Sequence, residues 1–249
     1  MSTTGKRPTA LVTGASRGIG KGIARRLAEA GYDLTVSARD ASRLDETAAE
    51  LAGLGGRVVA VPADLAVEDD VRRLADRHGD EHDRLDVLVL GAGTGFSDPL
   101  TETSKRRYDL QFDINVRAPF VLLQTLLPLL RKTASANPER GAKIIALASI
   151  TGVAAEPELA AYGATKAALV SLCQSVNTEA SADGVSATAI CPGYVDTDMS
   201  AWVRDRIPPG RMIRVDDVAE LAMSVTRLSA WAVVPEMVVT RPGDQLWRA

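Results

Sequence analysis

The sequence predicts an α/β protein in which a doubly wound, parallel, seven-stranded sheet carries helices on both faces. Short runs rich in β-branched residues alternate with longer segments of helical period, and the runs are apolar enough to be covered on both sides. This alternation is typical of parallel strands joined by right-handed crossover helices. The length of 249 residues fits one such unit, so we expect residues 1–249 to form a single domain.

The elements follow one another in strict alternation. The seven predicted strands are residues 9–12, 33–38, 58–61, 85–90, 143–147, 186–190 and 237–240. The predicted helices are residues 19–30, 42–54, 67–77, 104–132, 160–182 and 216–228. Two loops are long, 134–141 and 194–211, and we expect the second to act as a lid over a substrate.

Composition excludes several classes of protein. The net charge of −3 leaves no strong field that would recruit nucleic acid or an anionic membrane surface. Residues 1–8 contain no apolar leader, and no run of 18 uncharged apolar residues follows. We therefore expect a soluble, cytoplasmic protein that uses neither a membrane nor nucleic acid as a partner.

The cysteines and histidines do not suggest a metal site. Cys173 and Cys191 show no CxxC spacing and have no clustered His, so we expect both to be structural thiols. His78 and His82 fall in a charged stretch and are expected on the surface. The sequence predicts no bound metal.

A glycine-rich turn stands between the first predicted strand and the first helix. Gly14, Gly18 and Gly20 let the backbone turn tightly and let a diphosphate approach the helix N-terminus, whose N–H groups and dipole favour anions. The other cofactor contacts expected in this turn are Ser16, Arg17 and Ile19. An ordinary glycine-rich turn is the alternative interpretation.

The end of the second strand bears on the choice of cofactor. A dinucleotide fold places the residue that faces the adenosine ribose about 20 residues beyond the glycines. Here the position is Ala38-Arg39, and Ala38 cannot accept a hydrogen bond from a ribose hydroxyl. Arg39 together with Arg17 could hold a 2′-phosphate, so NADP(H) is expected in preference to NAD(H). Two solvated surface arginines are the alternative.

A serine, a tyrosine and a lysine suggest acid–base chemistry. Tyr162 and Lys166 are four residues apart and share a helix face, and a neighbouring ammonium can draw the pKa of a tyrosine from about 10 toward neutrality. Ser149 closes the fifth strand and Tyr162 opens the next helix, so both lie at the carboxyl edge of the sheet, where ligands bind. Asn115 stands in a helical pattern although Asn is a poor helix former. Taken singly, these residues have structural interpretations. Tyr162 and Lys166 could be an ordinary pair on an amphipathic helix, and Asn115 could be bonded to its own helix.

In their order and spacing, these motifs resemble the short-chain dehydrogenase/reductase family over about residues 9–240. The cofactor motifs that match are Thr13-Gly14-x-x-x-Gly18-x-Gly20, Asp64-Leu65, and Pro192-Gly193 followed by Thr197. The catalytic tetrad that matches is Asn115, Ser149, Tyr162 and Lys166. The resemblance implies a Rossmann-like fold, and it adds Ala92, Gly93 and Val195 to the expected cofactor contacts.

Two departures from the family pattern have structural consequences. Where the family has Asn-Asn-Ala-Gly after its fourth strand, this chain has Leu90-Gly91-Ala92-Gly93, so two amides that tie backbone together are missing. The usual acidic-Gly-Gly ending is replaced by Arg241-Pro242-Gly243-Asp244, which affects C-terminal contacts between subunits.

The resemblance implies a mechanism. Ser149 would hydrogen-bond the substrate oxygen, and Tyr162 would give or take its proton. Lys166 would lower the pKa of Tyr162 and contact the nicotinamide ribose, and Asn115 would position a water in a relay to Lys166. The implied activity is NADP(H)-dependent interconversion of a carbonyl and a secondary alcohol. A catalytically silent NADP(H) sensor or scaffold is the alternative, and an epimerase or dehydratase is a third possibility.

The expected substrate and assembly follow from apolar residues. Segments 153–159 and 194–212 are expected to line the substrate pocket, and the apolar side chains Met199, Trp202, Ile207 and Met212 suggest an apolar carbonyl or alcohol, although such lids also pack on themselves. Helical segments 104–132 and 160–182 carry more apolar residues than one buried stripe needs. We therefore expect a homotetramer, with a dimer as the alternative.

Overall fold

The computed structural model describes residues 6–243. Within that range, no helix is both long enough and apolar enough to cross a membrane. The predicted features of residues 1–5 and of Asp244 lie outside the described residues.

Seven strands form one sheet, and every pair is parallel. The strands are β1 (Thr9–Thr13), β2 (Asp33–Ala38), β3 (Val58–Pro62), β4 (Val87–Leu90), β5 (Ala142–Leu147), β6 (Val185–Pro192) and β7 (Glu236–Val239). Their order across the sheet is β3-β2-β1-β4-β5-β6-β7. Successive strands therefore extend the sheet in one direction from β1 to β3 and in the other direction from β4 to β7. The predicted fold class is confirmed, and the carboxyl ends of β1 and β4 open the crevice where such sheets bind ligands.

Helices cover both faces of the sheet. They are α1 (Gly18–Glu29), α2 (Ala41–Ala52), α3 (Glu68–Glu81), α4 (Lys105–Phe112), α5 (Ala118–Ala136), α6 (Ala160–Ala180) and α7 (Val215–Thr226). Alternate residues of the strands point to opposite faces and build two cores. One core packs Leu11, Leu88 and Ile144 under α3, α5 and α6, and the other packs Val12 and Val89 under α1, α2 and α7.

The long predicted helix at 104–132 is interrupted. The structure has α4, then a π-helical turn over Asp113–Arg117, and then α5, which continues to Ala136 and shortens the predicted loop at 134–141. A π-turn inserts one extra residue per turn and rotates the side chains that follow it. Here it directs Asn115 into the protein, where that side chain is fully buried.

The surface prediction for His78 and His82 is wrong. His78 belongs to α3 and is fully buried, and His82 follows directly and is 8% exposed. The ring of His78 lies between Thr35 Oγ1 on β2, 2.9 Å from Nδ1, and the carbonyl oxygen of Arg84, 3.1 Å from Nε2. The carbonyl can only accept, so we assign the proton of the neutral ring to Nε2. The charged residues around the two histidines suggested an exposed position, but α3 turns the face that carries His78 toward the sheet.

This buried histidine predicts a sensitivity to acid. Burial, with a smaller contribution from His82, lowers the pKa of His78 from 6.5 to about 4. Its contribution to stability is therefore present above pH 6.5 and is lost as the pH falls toward 4. Between pH 7 and pH 5 we expect the wild type to lose about 2 kcal/mol more unfolding free energy in urea than His78→Gln, which cannot titrate. Equal losses in the two proteins would contradict this assignment.

Candidate active site

A cleft of about 820 Å³ opens along the carboxyl ends of the strands. It runs from the β1–α1 turn past the ends of β4 and β5 to the segment that follows β6. The predicted cofactor contacts and three of the four predicted catalytic residues line this one cleft, and Asn115 lies behind its wall.

The β1–α1 turn has a shape that only glycine permits. Gly14 has a φ of +67°, and a Cβ placed there would lie 2.8 Å from the backbone of Ala92. A Cβ on Gly20 would collide with the carbonyl oxygen of Gly14. The side chain of Arg17, the N-cap of α1, makes no hydrogen bond to the first N–H groups of that helix. The N-terminus of α1 is therefore not capped by the Arg17 side chain. Its N–H groups, together with the close-packed glycine turn, fit a diphosphate.

The far end of the cleft contains two arginines, Arg17 and Arg39. Arg39 follows β2 and makes no ion pair with any residue from 6 to 243. Arg17 pairs with Asp198 of the segment after β6 at 3.2 Å, and both side chains are exposed. Asp64 and Leu65 follow β3 and line the cleft beside Arg39, as do Ser16 and Ile19 of the turn. This end of the cleft fits the adenosine and 2′-phosphate of NADP(H).

Thr13 compensates for the missing amides after β4. Its hydroxyl donates to the carbonyl oxygen of Val89 at 3.2 Å and accepts from the N–H groups of Gly91 at 3.0 Å and Ala92 at 3.2 Å. One hydroxyl at the end of β1 therefore holds the end of β4. Gly93, next along the chain, approaches so closely that a Cβ there would lie 3.2 Å from Lys166 Nζ.

Ser149, Tyr162 and Lys166 meet at the end of β5. Ser149 and Tyr162 line the cleft together, and the Nζ of Lys166 lies 5.5 Å from the centre of the Tyr162 ring. Lys166 Nζ donates to the carbonyl oxygen of Leu147, the last residue of β5, at 2.8 Å. A Cβ on Gly95 would lie 2.8 Å from the Tyr162 ring, so the segment after β4 packs on the ring face.

Burial governs the proton affinities of this cluster. It raises the pKa of Tyr162 to about 12, against a hydrogen bond from Ser149 that lowers it. It lowers the pKa of Lys166 to about 8. The direction for Tyr162 is opposite to the one expected from Lys166 alone, because burial has the larger effect; the ammonium is bound to the Leu147 carbonyl and lies over the Tyr162 ring.

Asn115 connects two walls of the cleft. Its Oδ1 accepts from the N–H of Thr94 at 2.9 Å, and its Nδ2 donates to the carbonyl of Thr94 at 2.8 Å and to Thr165 Oγ1 at 2.9 Å. It is therefore not bonded to its own helix, which was the structural alternative. The amide fixes the segment after β4 to α6, close to Lys166.

The last residue of β6 and the segment that follows it form one wall of the cleft. Pro192, Gly193, Val195 and Thr197 line it, and Gly193 is fixed by its N–H, which donates to the Val239 carbonyl of β7 at 2.8 Å. Val195 pairs with Ile213 in a short parallel bridge. Thr197 approaches the turn so that a Cβ on Gly18 would lie 3.4 Å from its methyl group.

The remaining part of the cleft has mostly apolar walls. Met199 and Trp202 line it half-exposed, whereas Met212 is buried with Tyr194 and Val203 in a small separate core against which Ile207 packs. The predicted lid therefore packs partly on itself. Sequence reasoning missed several other lining residues, among them Phe96 and Arg107, for which it predicted no part in the cleft.

Comparisons with known proteins agree with this geometry. The family model described as short chain dehydrogenase matches residues 8–207. A 3-oxoacyl-(acyl-carrier-protein) reductase of rhamnolipid biosynthesis from Pseudomonas aeruginosa is 39% identical over 227 residues, covering 87% of this chain and 88% of that protein.

Two solved structures are similar throughout. The Pseudomonas aeruginosa RhlG/NADP active-site complex has a TM-score of 0.84 and 35% identity, covering 96% of this chain and 95% of that one. A short chain dehydrogenase from Burkholderia cenocepacia in complex with NADP has a TM-score of 0.83 and 30% identity, covering 96% and 98%. The chain belongs to the short-chain dehydrogenase family.

Proposed function

We propose that this chain is an NADP(H)-dependent oxidoreductase that interconverts a carbonyl and a secondary alcohol, with Tyr162 as the general acid and base. The observation that carries the proposal is the convergence of Ser149, Tyr162 and Lys166 in a cleft whose other end is the glycine turn with Arg39. Residues 1–249 would act as one domain, with the substrate loop at 194–212.

The cofactor would supply a hydride when bound, and the protein would supply the proton. With its pKa raised by burial, Tyr162 is protonated at neutral pH, the form that can donate a proton to a carbonyl oxygen in the reductive direction. Ser149 would donate a hydrogen bond to the same oxygen. For the reverse reaction Tyr162 must become a phenolate, and a fall of its pKa from about 12 to about 7 requires roughly 7 kcal/mol of preferential stabilisation. Lys166 would contribute to that and would contact the nicotinamide ribose.

The other predicted residues would bind the cofactor or position the catalytic groups. Asn115 would support Lys166 and hold a water next to it. The residues proposed to bind the cofactor, besides Tyr162 and Lys166, are Gly14, Ser16, Arg17, Gly18, Ile19, Gly20, Arg39, Asp64, Leu65, Ala92, Gly93, Pro192, Gly193, Val195 and Thr197. Those at the turn would hold the diphosphate, and those after β6 would hold the nicotinamide.

The cofactor preference can be reversed by two substitutions. In Ala38→Asp with Arg39→Ile, a carboxylate would repel the 2′-phosphate and accept from the ribose hydroxyl, so kcat/KM should shift toward NADH. Ala38→Asn with Arg39→Ile is a control that removes the same cation without adding a charge. Equal kcat/KM for NADPH and NADH in the wild type would already contradict the proposed role of Arg39.

An apolar carbonyl substrate fits the walls of the cleft. Phe96, Leu159, Met199 and Trp202 line the part of it beyond Tyr162. Because a relative is named as a 3-oxoacyl reductase, acyl thioesters belong in the test beside ketones and quinones. The measurement is NADPH consumption in equal molar amount to the alcohol formed. Tight NADPH binding with no turnover would instead support a sensor, and product formed without net NADPH consumption would support an epimerase or dehydratase.

We also propose that the protein is a homotetramer. Phe120 of α5 is 51% exposed and Tyr108 of α4 is 45% exposed, so both helices keep large apolar groups in contact with solvent. Light scattering at micromolar concentration should give four times the chain mass of 26.3 kDa, with a dimer as the alternative. A monomeric mass would refute the proposal, and Phe120→Arg should lower the mass of the assembly.

A further inference from the structure

The hydroxyl of Thr151 is bonded to Ser149, two residues earlier in the chain. Thr151 Oγ1 donates to Ser149 Oγ at 2.9 Å, and the backbone N–H of Thr151 donates to the same oxygen at 3.2 Å. Both residues are buried, and both line the cleft. Ser149 Oγ therefore receives two hydrogen bonds from one neighbour.

These two bonds leave Ser149 with one direction for its proton. A serine hydroxyl carries two acceptor lone pairs and one donor proton. With both lone pairs occupied by Thr151, the proton of Ser149 remains to be donated into the cleft, which Ser149 lines together with Tyr162. A substrate oxygen that Tyr162 protonates must lie in that same cleft.

The backbone holds Thr151 in this position. Ser149 has an extended backbone and is the N-cap of a short 3₁₀ turn over Ile150–Gly152. The N–H of Gly152 donates to the Ser149 carbonyl at 3.0 Å, which closes the turn. Of the residues from 6 to 243, Ser149 provides the only side chain that the Thr151 hydroxyl bonds to.

We infer that Thr151 is a positioning residue, which orients the Ser149 hydroxyl as a donor toward Tyr162 and the reacting oxygen. The inference rests on the proposed function. No bond of Thr151 forms or breaks in the reaction, and the proton transferred is that of Tyr162. Without the Thr151 hydroxyl, Ser149 could turn its proton toward its own loop and present a lone pair to the substrate.

The test uses Thr151→Val, which removes the hydroxyl at nearly constant shape, and Thr151→Ser, which keeps it. Thr151→Val should lower kcat/KM about tenfold, the effect of one neutral hydrogen bond, with an unchanged NADPH Kd. Its pH profile should move to higher pH, because a weaker bond from Ser149 stabilises the Tyr162 phenolate less. Thr151→Ser should restore both the rate and the profile.

The Ser149→Ala background shows whether the effect passes through Ser149. There, Thr151→Val should cost nothing further, because the group that it orients is gone. An undiminished tenfold loss in that background, wild-type kinetics in Thr151→Val, or an equal defect in Thr151→Ser would each overturn the inference.

A readout without turnover separates this inference from the proposed function. The phenolate absorbance of Tyr162 can be titrated in the presence of NADP⁺ and identified by its loss in Tyr162→Phe. Thr151→Val should move that titration to higher pH even if no substrate is found. An unmoved titration overturns the role of Thr151, whereas absence of turnover with a moved titration overturns only the proposed reaction.

Discussion

Tyr162→Phe is expected to lower kcat/KM for the reduction of any accepted carbonyl by about 10²- to 10⁴-fold, the range of general acid–base catalysis. The substitution removes one hydroxyl and keeps the ring, which packs against Gly95. Folding and the NADPH Kd should therefore hardly change. The measurements are kcat/KM as a function of pH and the cofactor Kd from fluorescence titration.

Tyr32→Phe is the matched control. Tyr32 is also a partly buried tyrosine whose pKa is raised by burial, but it precedes β2 at the amino edge of the sheet and does not line the cleft. Its loss should leave the kinetics unchanged. Near-normal turnover in Tyr162→Phe would refute the proposed mechanism, whatever the control does.

The fold could be predicted because each element carried its own signal. Buried parallel strands read as continuous β-branched runs, and β2 (Asp33–Ala38) was predicted to the residue. The site followed from the topology: Ser149 and Tyr162 were expected at one sheet edge because parallel strands end together, and the structure places them there.

What could not be predicted depends on partners distant in sequence. The π-turn that buries Asn115 is held by Thr94 and Thr165, and nothing local signals it. The buried ring of His78 is hydrogen-bonded to Thr35 and to the carbonyl of Arg84, which are distant from it or outside its helix. The pKa of Tyr162 was expected to fall because Lys166 lies on the same helix face, but burial, which residue spacing does not show, raises it.

Lys166→Met is expected to impair both binding and turnover. Lys166 is buried, and its ammonium is proposed to contact the nicotinamide ribose and to stabilise the Tyr162 phenolate. Loss of a hydrogen bond from a charged donor should weaken NADPH binding about 10- to 100-fold, and kcat should fall by about 10²-fold or more. Because burial lowers the pKa of Lys166 to about 8, the wild-type NADPH Kd should also rise as the pH passes upward through 8, and Lys166→Met should not show that rise.

A second buried lysine, Lys143, serves as a control that separates the proposed role of Lys166 in cofactor binding from a role in stability. Lys143, near the amino end of β5, is 2% exposed and donates to Ser186 Oγ at 3.2 Å and to the Ser229 carbonyl at 3.0 Å. Among the residues from 6 to 243, its bonding partners are neutral oxygens, as is that of Lys166, but Lys143 lies at the opposite edge of the sheet from the cleft. Lys143→Met should change the unfolding free energy while leaving the NADPH Kd and its pH dependence as in the wild type. If Lys166→Met behaved in the same way, the ammonium of Lys166 would have only a structural role, and the proposed contact with the cofactor would be wrong.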